Sequence, residues 1–227
     1  MGPNCRRILA GEFVLFVLAL QAHSPLLAEP QSDALPTTAN RQNFVGDEAC
    51  RPCHSEKAAS SGKTAHHLTS RRPSKESILG SFAGGKNILK TANPNLYFHM
   101  ESNPDGFYQR AVSATPPSAA IRSERMDVVV GSGRKEQTYL YWKGDRLFQL
   151  PVSCWTDLAT WINSPGYRDG EANFEKHVIP DCLGCHLSYA AALGSPVSSN
   201  QYIPDSMVLG ISPANDAMAP DTSTSRQ

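Results

Sequence analysis

The sequence predicts an α+β protein with much irregular structure, in which two cysteine-bearing helical segments flank a small antiparallel β region. Three observations predict it. Short alternating runs of apolar and polar residues with turn signals between them crowd into the middle of the chain. A C-x-x-C pair in a polar stretch sits on either side of that middle. The stretches between are loop-like, as at 80–95, where Gly84-Gly85 and Pro94 punctuate the chain.

Taken in order, the 227 residues open on Arg6 and Arg7. An apolar run at 8–20 follows, interrupted only by Gly11 and Glu12, with small residues at Ala22 and Ala28. A positive start, a short apolar core and a small residue before a polar segment read as a secretory signal peptide at 1–28, too short to span a bilayer comfortably. No later stretch is apolar enough to cross a membrane, so the mature chain is expected in a periplasmic or other exported compartment, without a transmembrane span. Residues 29–43, rich in Pro, Ser, Thr, Ala, Asn and Gln, read as a flexible linker. The main domain is placed at 44–194 and a polar C-terminal tail at 195–227.

Within the domain, the first cysteine motif leads into a polar helical stretch ending near Ser70. Residues 96–100 and 107–109 fit a hairpin around Asn103-Pro104-Asp105-Gly106. Residues 138–142 and 146–152 fit a second one around Lys143-Gly144-Asp145. A further short strand at 127–130 ends at Gly131-Ser132-Gly133. Residues 157–162 read as a short helix closed by Ser164-Pro165-Gly166, and the second cysteine motif follows. Tyr97, Phe98, Tyr139, Tyr141, Trp142, Phe148, Trp155, Trp161 and Tyr167 are candidates for a core, and Cys154 for a buried inert thiol beside Trp155.

Lys plus Arg and Asp plus Glu both number 21. That balance offers no basic field for nucleic acid and does not point to any partner.

The chemistry lies in Cys50-Arg51-Pro52-Cys53-His54 and Cys182-Leu183-Gly184-Cys185-His186. Both are C-x-x-C-H, the pattern of covalent haem attachment. Two thiols add across the vinyl groups on one porphyrin edge, and the adjoining His supplies the proximal imidazole to iron. With seven histidines in the chain, His after both pairs by chance has odds of about one in a thousand. Three other readings compete. A zinc site of Cys50, Cys53, Cys182 and Cys185 would need knuckles more than a hundred residues apart and leaves both histidines unused. Structural disulfides suit an exported protein but also ignore the histidines. A thioredoxin-like redox pair lacks its βαβ setting. Two covalent c-type haems are therefore expected, with His54 and His186 as proximal ligands and the haems forming much of the core. The candidates for a second axial position are His66, His67, His99 and His177, with Met100 and Met126 behind them. Solvated or packed histidines remain the alternative at each. The functions expected are one-electron transfer with unspecified redox partners or, with an open axial position, a haem-dependent oxidoreductase acting on a small inorganic substrate. The first is favoured over an enzyme.

Phe44-Val45-Gly46-Asp47-Glu48-Ala49 before the first motif, and Thr64-Ala65-His66 after it, resemble the multihaem c-type cytochromes of the cytochrome c-552/c-554-like family. Ser61 stands where that family carries a Trp. The resemblance implies that His66 is a distal haem ligand. It continues through Gly131-Ser132-Gly133, Thr138-Tyr139-Leu140, Leu150-Pro151-Val152-Ser153 and Ser164-Pro165-Gly166-Tyr167 to the second motif, covering most of 44–212, and is nearest to planctomycete-type exported members. Relatives continue after 207–212 with a third haem motif. Here Pro213-Ala214-Asn215-Asp216 follows instead, so the chain resembles a member truncated before that site.

Overall fold

The computed structural model describes residues 47–116, 119–194 and 198–210. The signal segment, the linker at 29–43 and residues 211–227 of the tail lie outside them. Helix is scarce: α1 (Asp47–Cys50), α2 (Ser55–Ser61) and α3 (Pro180–Gly184) are one or two turns each, far below the length at which a helix holds itself together in water. None of the described helices is long and apolar enough to cross a membrane.

Strand dominates. In chain order the described strands are β1 (Ser70–Arg71), β2 (Ile88–Lys90), β3 (Leu96–Asn103), β4 (Gly106–Ser113), β5 (Ala120–Arg125), β6 (Val128–Val130), β7 (Glu136–Lys143), β8 (Arg146–Gln149), β9 (Val152–Trp155), β10 (Thr160–Asn163), β11 (Lys176–His177), β12 (Leu187–Tyr189), β13 (Ala192–Leu193), β14 (Gln201–Tyr202) and β15 (Val208–Leu209). The α+β expectation is therefore corrected: the protein is mostly antiparallel β, and the two helical segments thought to flank a small sheet shrink to single turns around the cysteines. The reason is visible in the pattern, since neither motif is followed by a run of period-3.6 apolar residues that could bury a longer helix.

β2, β3, β4 and β5 form an antiparallel meander. Its central hairpin pairs Asn103 with Gly106, and the Asn103 side-chain carbonyl accepts from the backbone N–H of Asp105 and Gly106 (2.9 and 3.1 Å). On β3, Leu96, Phe98 and Met100 point inward and alternate with Tyr97, His99 and Glu101. A nine-stranded sheet runs β1-β6-β7-β8-β14-β13, with β11 also on β8 and the β9–β10 pair joined through β9 to β7. β12 and β15 pair separately.

Both faces of the large sheet are buried, as the unbroken apolar run along β7 requires. Val129, Tyr139 and Tyr141 join Leu96, Phe98, Met100 and Ala111 of the meander, with Cys154, Trp161 and Phe174, in one core. Val128, Val130, Leu140 and Leu147 pack on the other face with Leu183 of α3, Leu187, Tyr202 and Met207. Side chains from both sheets fill these cores.

Two local readings also change. Residues 157–162 are not a helix: Thr156–Leu158 is a single 3-10 turn, Ala159 takes a left-handed φ of 47°, and β10 returns along β9. Extension lets Trp161 enter the core while its Nε1–H donates to the Ser81 carbonyl (2.9 Å). Residues 198–210, assigned to the tail on composition, supply β14, β15 and the buried Tyr202 and Met207.

Candidate functional site

In the first motif the His54 N–H donates to the Cys50 carbonyl (2.8 Å). That bond closes a single turn from Cys50, the last residue of α1, to His54, which precedes α2, with Cys53 between them. The turn runs directly into α2, whose Ala58 N–H bonds the His54 carbonyl (2.9 Å). Cys53 and His54 are exposed, Cys50 is partly covered, and α2 buries no residue. The Arg51–Glu48 ion pair here is exposed and adds little.

The second motif is built differently. Pro180 opens α3 at its first turn, where a missing N–H costs nothing. Leu183 turns inward to the second core, while Cys182 and Cys185 face solvent. The His186 N–H closes the turn on the Leu183 carbonyl (2.8 Å). Its ring Nδ1 lies 2.9 Å from Thr69 Oγ1. Its carbonyl accepts from Ser70 Oγ (2.6 Å), and that hydroxyl in turn accepts from the Gly210 N–H (2.8 Å). Desolvation lowers the His186 pKa, favouring the neutral imidazole that ligates metals.

The donor set fits a c-type haem at this second motif. Two thiols lie outward on one turn, and an imidazole with Nδ1 engaged leaves Nε2 as the nitrogen able to meet iron. The described cysteines are free thiols, so no disulfide closes either pair. Among the described residues no three His, Cys, Asp or Glu side chains gather into a metal cage. The two C-x-x-C pairs therefore do not meet as a four-thiolate zinc site.

His66 and His67 lie in the turns after α2. Thr64 caps that segment, its hydroxyl accepting from the His67 N–H (3.2 Å) and its carbonyl from the Leu68 N–H (3.1 Å). Thr69 follows at once. The segment that leaves the first motif thus ends against the second, an approach no spacing announced. His99 sits on β3 with Nε2 2.7 Å from Asn87 Nδ2 and Nδ1 3.1 Å from Glu101, so both ring nitrogens are engaged. His177, exposed on β11, sets its ring edge-on to Phe148 with centroids 5.3 Å apart. Met100 and Met126 are buried in the first core. Thr69 and Ser70 escaped the sequence reading because two hydroxyl residues form no motif, and their partner lies more than a hundred positions away.

No protein-family model and no curated protein matches the chain. A solved backbone does. It is the crystal structure of the outer cell wall cytochrome OcwA, at 16% identity and a TM-score of 0.41, with 74% of this chain covered. The chain spans 30% of the length of that protein.

Proposed function

We propose that the chain is an exported c-type cytochrome that carries single electrons through two covalently held haems. Cys50 and Cys53 with His54, and Cys182 and Cys185 with His186, are the tethers and proximal ligands. His66 is the distal ligand of the first haem, as the family resemblance implies, and His67 and His177 are further candidates. His99 would have to give up Asn87 or Glu101 to serve. The observation that carries the reading is the half-buried His186 imidazole, held at Nδ1 beside two outward thiols on one turn. Bound iron porphyrin supplies the one-electron redox change. The chain supplies the tethers, orients the imidazoles and sets the burial that shapes the potential. Export rests on the N-terminal segment, and matches the compartment in which thioether haem is attached.

Co-expression of the full chain with a haem-maturation system tests it. The purified protein should stain for haem after denaturing electrophoresis and give two haems per chain by pyridine haemochrome, with a low-spin spectrum indifferent to carbon monoxide. A colourless product ends the proposal. A high-spin spectrum that shifts with carbon monoxide would replace the carrier with a haem oxidoreductase.

A further inference from the structure

Thr69 and Ser70 are adjacent in sequence and grip opposite ends of one residue: Thr69 meets the His186 ring, Ser70 its carbonyl. Neither hydroxyl is free to wander. Both residues are buried. The Thr69 carbonyl accepts from Gly131 N–H (2.6 Å), its own N–H bonds the His66 carbonyl (3.2 Å), and Ser70 is paired with Val130 across β1 and β6. A Cβ on Gly210 would press against the His67 carbonyl (2.5 Å), so only glycine lets the chain after β15 come this close. The sheet thus delivers the Thr69 hydroxyl to His186 Nδ1 at a fixed height.

We infer that Thr69 is a positioning residue for the second haem, holding the proton on His186 Nδ1 so that Nε2 faces the iron. The inference rests on the proposed haem ligation by His186. With Nε2 on the metal, Nδ1 carries the proton and donates it to Thr69 Oγ1. That hydrogen bond fixes the ring plane and makes the imidazole a stronger donor to iron. A stronger donor favours the ferric state and lowers the potential. Because His66 lies three residues before Thr69, the same short segment serves both haems: it offers the distal candidate of the first and orients the proximal ligand of the second.

Redox titration of the purified holoprotein, as wild type, Thr69→Val and Thr69→Ser, reads this directly. Thr69→Val keeps shape and removes the acceptor. It should raise one of the two midpoint potentials, by up to a tenfold change in the oxidation equilibrium (59 mV for one electron), and leave the other in place. Thr69→Ser should restore the wild-type pair of values at an unchanged haem count, which a purely packing role would not do. Two unmoved potentials in Thr69→Val, or an equal shift in both, overturn the inference while leaving the cytochrome reading intact. If the pyridine haemochrome shows no haem at the second motif, the cytochrome reading fails first. The ring is then read in that same preparation by nitrogen-15 shifts. The wild type should hold its proton on Nδ1 and Thr69→Val should move it to Nε2, whereas a wild-type proton on Nε2 refutes the role of Thr69 in either case.

Discussion

Gln109 and Gln137 are fully buried, and each closes a two-way amide exchange with main chain from another part of the fold. Gln109 on β4 donates to the Val152 carbonyl (2.7 Å) and accepts from the Val152 N–H (3.0 Å), tying the meander to β9 of the large sheet. Gln137 does the same with the Ser77 carbonyl (2.8 Å) and the Leu79 N–H (2.9 Å). Gln109→Leu fills the volume but orphans both Val152 groups, so it should cost about 2–4 kcal/mol in urea unfolding. A loss under ~1 kcal/mol would mean that water reaches the gap. Cys154 on β9 is buried in the first core, and desolvation, helped by the nearby Glu136 charge, pushes its thiol up to about 11. A raised thiol pKa favours the protonated fold. Its contribution is therefore full below the ordinary value of 9 and is lost as the pH climbs through about 11. At pH 8 iodoacetamide should leave the Cys154 peptide unlabelled in the native holoprotein and label it after unfolding. The four motif cysteines, bound as thioethers, should stay unlabelled in both states. Labels on those four would count against tethered haem, and native labelling of Cys154 would show that β9 opens.

The turns that join strands differ in what a side chain would meet. Gly144, between β7 and β8, has φ +64° and open space where a methyl group would sit, so Gly144→Ala should cost only about 1 kcal/mol. Gly131, at the end of β6, has φ +109°, and its Cβ would overlap the Glu136 carbonyl. Gly131→Ala should cost about 3 kcal/mol or more in the same urea assay. It should also disturb Thr69, whose carbonyl bonds Gly131. Equal costs at the two glycines would refute the contrast. Such turns are why both hairpins could be read ahead of the structure: Pro-Asp-Gly and Lys-Gly-Asp sit between runs of alternating side chains, and local chemistry decides the register. Residues 157–162 show where local chemistry stops deciding. Their composition tolerates helix, but Trp161 lies so close to Gly80 that a Cβ there would collide with the indole. A contact 81 positions away chose the strand, and no window of sequence contains it. The site divides the same way. The tethers and proximal histidines follow from spacing within five residues, whereas Thr69 and Ser70 reach His186 across 117 and 116 positions.

The two cysteine motifs stand in different relation to the whole molecule. The second is anchored through Leu183 to the back of the large sheet, and burying one such leucine is worth roughly 1.5–3 kcal/mol. The first leads into α2, which buries nothing of its own. Neither motif contributes to the core between the large sheet and the meander, where Tyr139, Tyr141, Phe98, Met100 and Leu150 are all but sealed from solvent. The β framework should therefore fold without haem. A chain with Cys50, Cys53, Cys182 and Cys185 all changed to Ala should keep a strand-rich far-ultraviolet spectrum, near-ultraviolet aromatic signals and one cooperative urea transition. Amide exchange in that chain should grade from fast at 47–61, through intermediate at α3, to slow on β7, because protection follows the packing each segment has without the macrocycle. Leu183→Ala in the same background should bring α3 up to the exchange rate of the first motif and leave β7 unchanged. A haem-free chain with broad, non-cooperative unfolding and no near-ultraviolet signal would instead make the porphyrins structural, since the side-chain cores would then be too weak to close on their own.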